Sequence, residues 1–195
     1  MLKSSPADTG EELFRRYLDG DSGAFEELVA LYANEMSSFI YGIVHDRHEA
    51  KHLTIEAFAR LAAAGARFAG RSTLKTYLFA IARRLALRYM KMRRRAQHVS
   101  FEEIADTMVD AAPLPESQYE KEYDARRLRQ AMRCLSDDHR TVLMLLYFED
   151  MSYREAGGVM SKTERQIEGL ARRAKLALKK MLQDGGGAQD GVGVR

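Results

Sequence analysis

Ser152-Tyr153-Arg154-Glu155-Ala156-Gly157-Gly158-Val159-Met160-Ser161-Lys162-Thr163-Glu164-Arg165-Gln166 is the stretch whose reading decides the fold. Ser152 with Glu155 has the spacing of a capping box, and Ser161 with Glu164 repeats it nine residues on. In such a box the N-cap hydroxyl accepts the backbone N–H three residues ahead, and the acid accepts the N-cap N–H in return. Two boxes this close predict a short helix, a tight turn and a longer helix, which is the helix-turn-helix layout. The longer helix would bury Ile167, Leu170, Ala171, Ala174, Leu178 and Met181. Helices in this position lie in the major groove of duplex DNA. The opposite face carries Lys162, Thr163, Arg165, Gln166, Gly169, Arg172 and Arg173. Arg165 and Gln166 are types that bond base edges bidentately, and the others suit phosphates. A solvated face on an ordinary bundle helix is the bland alternative. Gly157 fits a close crossing of the two helices, while nothing in the spacing explains Gly158.

Outward from this stretch, charge is sorted by position. Residues 57–101 hold eleven Lys and Arg and no Asp or Glu, ending in Arg93-Arg94-Arg95. The net charge is −6 over residues 1–56, +11 over 57–98, −7 over 99–124 and +6 over 125–182. Two basic modules with an acidic strap between them point to a polyanion partner. The aromatics Phe68, Tyr77, Phe79 and Tyr89 among the bases suit a nucleic acid with bases to stack.

The rest of the chain reads as helices. Thr9 with Glu12 predicts a cap for a first helix through Leu18, broken by Gly20-Asp21-Ser22-Gly23. Phe25, Leu28, Val29, Tyr32, Met36, Phe39, Ile40 and Ile43 form one helical face. A third helix is expected from about Glu49 to Ala64. Ser72 or Thr73 would cap a fourth with the stripe Leu74, Leu78, Ile81, Leu85 and Met92. Residues 96–120 lack Lys and Arg and contain Pro113 and Pro115, as a linker does, with a possible helical turn at Ser100 to Glu103. A second module begins near Gln118, with Leu128, Ala131, Met132 and Leu135 inward, and Asp137-Asp138 opens a helix through Phe148. Three prolines and a lone cysteine, Cys134, fit an all-helical chain without an internal disulfide, in a reducing cytoplasm. No signal peptide or membrane-spanning run is visible, so no membrane insertion is expected.

Taken in order, these strings resemble the extracytoplasmic-function (ECF) branch of the sigma-70 family of RNA polymerase sigma factors. Glu49-Ala50, then Leu53, Glu56 and Phe58, looks like the family helix that docks on the polymerase β′ clamp. Phe68 to Arg95, including Ser72 to Arg83, is similar to the segment that captures the melted −10 strand. Leu135-Ser136, Tyr147-Phe148-Glu149 and Met151 to Glu155 look like the start of region four, and Arg172-Arg173-Ala174 fits the end of its −35 reading helix. The resemblance implies an all-α fold of two small domains: region 2 over residues 1-97, a linker over 98-118, a region 4 helix-turn-helix over 119-182, and a disordered tail over 183-195. It implies a bacterial, cytoplasmic initiation factor that directs promoter-specific transcription and has no catalytic residues or cofactor of its own. Its partners would be core RNA polymerase (β′ clamp and β flap), promoter DNA and an anti-sigma factor. Core contacts fall on Glu49, Leu53, Glu56, Phe58 and Arg60. Contacts to the −10 region fall on Lys75, Tyr77, Phe79, Arg83, Arg84, Arg88, Lys91, Arg93, Arg94 and Arg95, and those to −35 on the helix-turn-helix face above. The chain departs from the family pattern at His52, Ile55, Arg84, Arg88 and Glu168.

His48 and His52, four apart with His45 a turn earlier, have a zinc-compatible spacing but no Cys or HExxH string nearby, and are read as a solvated pair. Asp137-Asp138 sits at a helix start, where the dipole explains it. Two rival classes remain at this point: a stand-alone helix-turn-helix regulator, which would need a dimer to read spaced half-sites, and a helical RNA-binding or scaffold protein.

Overall fold

A computed structural model of the chain describes residues 6–65, 68, 70–97 and 116–184. Among these residues it has helices and no strand: α1 (Pro6–Leu18), α2 (Ser22–Val44), α3 (Arg47–Ala64), α4 (Leu74–Gln97), α5 (Glu116–Arg133), α6 (Asp137–Tyr147), α7 (Tyr153–Met160) and α8 (Glu164–Asp184). The order is the expected one. The expected linker core, the Ser100 turn and the tail beyond Asp184 lie outside the described residues.

The helices begin where the sequence supplies an acceptor. Asp21 caps α2 by accepting from the Ala24 N–H at 3.2 Å. Asp46 accepts from the His48 and Glu49 N–H groups at 2.9 and 3.0 Å, so α3 starts at Arg47 rather than Glu49. Thr73, not Ser72, caps α4, its hydroxyl accepting the Thr76 N–H at 3.2 Å. Glu11 of α1 adds a carboxylate at the same end, accepting the Leu74 N–H at 2.6 Å, where the helix dipole favours negative charge. α1 opens at Pro6 instead of the expected cap at Thr9, because proline at the first helical position gives up no hydrogen bond.

In the first half, α2 packs against α1, α3 and α4 around Phe14, Leu28, Met36, Phe39, Ile40, Leu61 and Leu78. α4 buries more than one stripe: Leu78, Phe79, Ile81, Ala82, Leu85 and Ala86 are all buried. It is covered on two sides, by α2 and α3 and by α7 from the second half. Met92, expected inward, is 60% exposed. α2 stops at Val44, whose carbonyl meets Arg93 at 3.4 Å, and the last turns of α4 run on past it. In the second half Leu135, Val142, Leu145, Val159, Ile167 and Ala174 fill the space between α6, α7 and α8. Leu178 is only half-buried and Met181 is exposed, since the 21-residue α8 outruns the 8-residue α7.

The halves share one continuous buried cluster, with α7 along α4 and α6 along α2. Two glycines shape that contact. A Cβ on Gly42 would overlap the Met144 thioether, and a Cβ on Gly158 would lie 2.8 Å from Thr76 Cγ2. The second distance supplies the reason for Gly158 that its local sequence lacks. Arg140 ties the segments together from inside. Its guanidinium donates to the carbonyls of Met132 at 2.9 Å, Arg133 at 2.9 Å, Leu135 at 2.8 Å and Gly42 at 3.4 Å. Met132 and Arg133 lie in the last turn of α5, where carbonyls have no intrahelical partner, and Leu135 lies in the turn that follows.

Gly158→Ala should lower the unfolding free energy by roughly 1–3 kcal/mol through overpacking. Thr76→Ser, which deletes Cγ2 and keeps the hydroxyl, should recover part of that loss in the double variant. Urea denaturation of the four proteins gives the coupling, and strict additivity would mean that these two residues do not touch in solution.

Candidate nucleic-acid interface

The turn between α7 and α8 differs from its sequence expectation at one point. The Ser152–Glu155 box forms: Glu155 N–H donates to Ser152 Oγ at 3.2 Å, and Ser152 N–H donates to Glu155 Oε2 at 2.9 Å. The expected Ser161–Glu164 box does not. Ser161 has φ 55 and ψ 44 and ends α7 as a left-handed cap, a conformation that an N-cap does not adopt. Thr163 takes the role two residues later. Gln166 N–H donates to Thr163 Oγ1 at 3.3 Å, and Thr163 N–H donates to Gln166 Oε1 at 2.9 Å. The turn is tight enough that a Cβ on Gly157 would lie 2.6 Å from the Lys162 carbonyl oxygen. Lys162 N–H donates back to Gly157 O at 3.0 Å. Both Thr163 and Gln166 are therefore partly spent on capping, and Gln166 keeps its amide NH2 group for a ligand.

The outer face of α8 is open. Arg165, Gln166, Arg172 and Arg173 are exposed, Gly169 is half-buried, and Arg165, Gln166, Gly169 and Arg173 rim a shallow depression. Lys162 lines the same depression, its Nζ 3.4 Å from Asp138.

The cationic face of α4 is not open to the same extent. Lys75 Nζ lies 3.0 Å from Glu35 and 3.5 Å from Glu149, donates to the Glu149 carbonyl at 3.1 Å, and sits 5.5 Å from the Phe79 ring centroid. Arg83 pairs with Asp138 at 3.0 Å and Arg94 with Asp137 at 3.0 Å. Arg83 and Arg94 are thus held by acids of the second half, and Lys75 by Glu35 of the first half together with Glu149 of the second. Arg84, Arg88, Lys91 and Arg95 are exposed, and Arg93 is half-buried. Phe79 belongs to the core, fully buried with its ring 5.2 Å from that of Phe39. Tyr77 keeps part of its surface and packs on Phe68 at 5.2 Å. Asp137 and Asp138 were legible only as dipole partners of α6, because the arginines they meet lie 43 and 55 residues away in the chain.

On α3, Leu53 and Phe58 are core residues and face inward. The outer face shows Glu49, His52, Glu56 and Arg60, with Glu56 and Arg60 paired at 2.6 Å. Ile55 joins them at 69% exposure. In the sequence it stands out only as a departure from the family pattern. Among the described residues no group of His, Cys, Asp and Glu is placed to hold a metal ion, and no helix is long and apolar enough to cross a membrane.

Among the described residues the chain is helical throughout its regular structure, with a cationic helix in one half and a helix-turn-helix in the other. Residues 28–96 match Sigma-70 region 2 and residues 125–178 match Sigma-70, region 4. The RNA polymerase sigma-H factor of Pseudomonas aeruginosa is 30% identical over 181 residues, covering 89% of this chain and 93% of that protein. The ECF RNA polymerase sigma factor SigM of Bacillus subtilis is 28% identical over 161 residues, 82% of this chain and 96% of SigM. The fold is also that of CnrH, solved in complex with the cytosolic domain of CnrY (TM-score 0.69, 18% identity, 90% of this chain and 98% of that one). It is shared by the sigma factor RpoE of Bartonella quintana, solved with the anti-sigma factor NepR (TM-score 0.65, 22% identity, 82% and 96%). The chain belongs to the ECF group of sigma-70 family RNA polymerase sigma factors, which are transcription initiation factors.

Glu149 gives the contact between the halves a pH dependence. Burial pushes its carboxyl up from 4.5 to about 7, against the pull of Lys75 and with help from Glu35 and Asp150. The folded chain therefore keeps a proton that the unfolded chain has lost between these two values. Stability from this group is complete below 4.5 and falls as pH rises through about 7. Glu149→Gln cannot titrate, so its urea midpoint should change less than the wild type's between pH 5 and pH 8. Parallel profiles for the two proteins would contradict the assignment.

Proposed function

We propose that this sigma factor docks on core RNA polymerase through the outer face of α3, using Glu49, Glu56 and Arg60, with Leu53 and Phe58 holding that face from within. Residues 1-97 act as region 2, 98-118 as linker, 119-182 as region 4 and 183-195 as tail. α4 engages the melted −10 strand through Lys75, Tyr77, Arg83, Arg84, Arg88, Lys91 and Arg93 to Arg95. α8 reads the −35 element through Arg165 and Gln166, with Lys162, Thr163, Gly169, Arg172 and Arg173 around them. The open arginine face of α8 is the observation that carries this reading: among the described residues its charge finds no partner, and phosphates and guanine edges are the groups it fits.

The pairing of Lys75, Arg83 and Arg94 supports a second step. Those cations are fully released to a DNA strand only after Glu149, Asp138 and Asp137 have moved away, with Glu35 of the first half still beside Lys75, so the halves separate when the polymerase takes up the factor, with the β′ clamp holding one half and the β flap the other. An anti-sigma protein, of the kind solved with the Bartonella quintana factor, would act before that separation. The stand-alone regulator is not favoured, since curated sigma factors match along most of the chain.

Purified chain mixed with core polymerase and a genomic fragment library should co-elute with the enzyme and start transcription at defined sites. Duplex binding by the chain alone, without binding to core, would support the regulator instead. Reversing Glu49 and Glu56 to Lys should lower affinity for core, and unchanged affinity would remove α3 from the docking surface. Asp137→Asn with Asp138→Asn should raise the free chain's affinity for a single-stranded −10 oligonucleotide by on the order of fivefold, the equivalent of two half-exposed pairs at ~0.5 kcal/mol each. Anisotropy titrations that do not distinguish this variant from wild type would show that these acids do not mask α4.

A further inference from the structure

Among the described residues, Glu168 on the exposed side of α8 forms no hydrogen bond or ion pair, although it shares a shallow depression with Arg165, Arg172 and Lys175. Ile167, Leu170, Ala171 and Ala174 are buried, so helical spacing sets Arg165, Gly169 and Arg172 on the outermost line, with Glu168 beside it. Glu168 is exposed, as are Arg165 and Arg172, the residues three before and four after it. A carboxylate here opposes every phosphate the helix approaches.

Gly169 needs an explanation as well. A mid-helix glycine costs about 1 kcal/mol relative to alanine. Gly157 and Gly158 have close neighbours that exclude a Cβ, whereas a Cβ at 169 would meet only Arg173 Nη1, at an ordinary 3.5 Å. Among the described residues nothing crowds Gly169, and the space above it opens outward. Without that methyl the helix backbone sits nearer the groove floor, which is what a glutamate, shorter than its arginine neighbours, needs to reach a base.

Major-groove edges offer a carboxylate two donors, the cytosine N4 amine and the adenine N6 amine. Adenine sets its N7 acceptor beside the amine, against the second carboxylate oxygen, and cytosine has no acceptor there. Guanines on the neighbouring pairs would suit Arg165 and Arg172. We propose that Glu168, brought close by Gly169, selects a cytosine within the upstream promoter element. This rests on the −35 reading of α8 given above.

The test is transcription by core polymerase with the full-length factor, from templates randomised across the upstream element. Wild type should enrich cytosine at one position. Glu168→Ala should reduce that preference by about tenfold or more, the size of a direct base contact, and leave the other positions unchanged. Glu168→Gln should move the same position toward adenine, the base that glutamine pairs with bidentately. Gly169→Ala should weaken the cytosine preference selectively. The same base enriched to the same degree in wild type, Glu168→Ala and Glu168→Gln would overturn the proposal, as would a wild-type element without cytosine. Defined start sites with no upstream sequence enriched by wild type would overturn the −35 reading and this proposal together. A failure confined to the variants would overturn this proposal alone.

Discussion

Buried between α5, α6 and α2, the Arg140 guanidinium gives its donors to four backbone carbonyls. Burial lowers its pKa and Asp137 opposes the shift, but a guanidinium stays charged in either case. The charge sits at the negative end of the α5 dipole and satisfies carbonyls that would otherwise be buried without a donor. From this anchor the next elements follow. The start of α6 is fixed relative to α2, which sets Asp137 and Asp138 opposite Arg94 and Arg83, and the loop after α6 carries Glu149 to Lys75.

The resulting contact is of mixed character. Its centre is steric: the Gly42–Met144 and Gly158–Thr76 fits tolerate no additional carbon. Its margin is ionic and half-exposed, so each pair contributes little and is screened by salt. Glu149 stands between these regimes, nearly out of solvent yet facing a lysine. A contact built this way is specific in register.

The helix-turn-helix was legible in the sequence because capping boxes are local. The single misplacement there, Ser161 for Thr163, arose because α7 and α8 share a short turn in which Ser161 is consumed as a left-handed cap. The α4 stripe was legible for the same reason, but its width was not. Leu78 and Phe79 are both buried because two layers cover the helix, and the second layer comes from the far end of the chain. Phe79 therefore read as a surface aromatic. The acids opposite Arg83 and Arg94 read as dipole partners, since no periodic pattern joins residues so distant in sequence. Leu53 and Phe58 were legible as part of a helix resembling the family's docking helix, and only the packing shows that both are buried in the core.

The pairing of Lys75, Arg83 and Arg94 also bears on the search for a promoter. Cellular RNA and genomic DNA form a vast sink for any cationic helix, because attraction to phosphate ignores sequence. A factor whose α4 charges are partly neutralised by its own acids releases fewer counterions when it meets that sink, and so lingers there less. Under the proposed separation of the halves, the charges held by Asp137, Asp138 and Glu149 would be released on the enzyme, and the intramolecular pairs would act as a filter on where the protein spends its time.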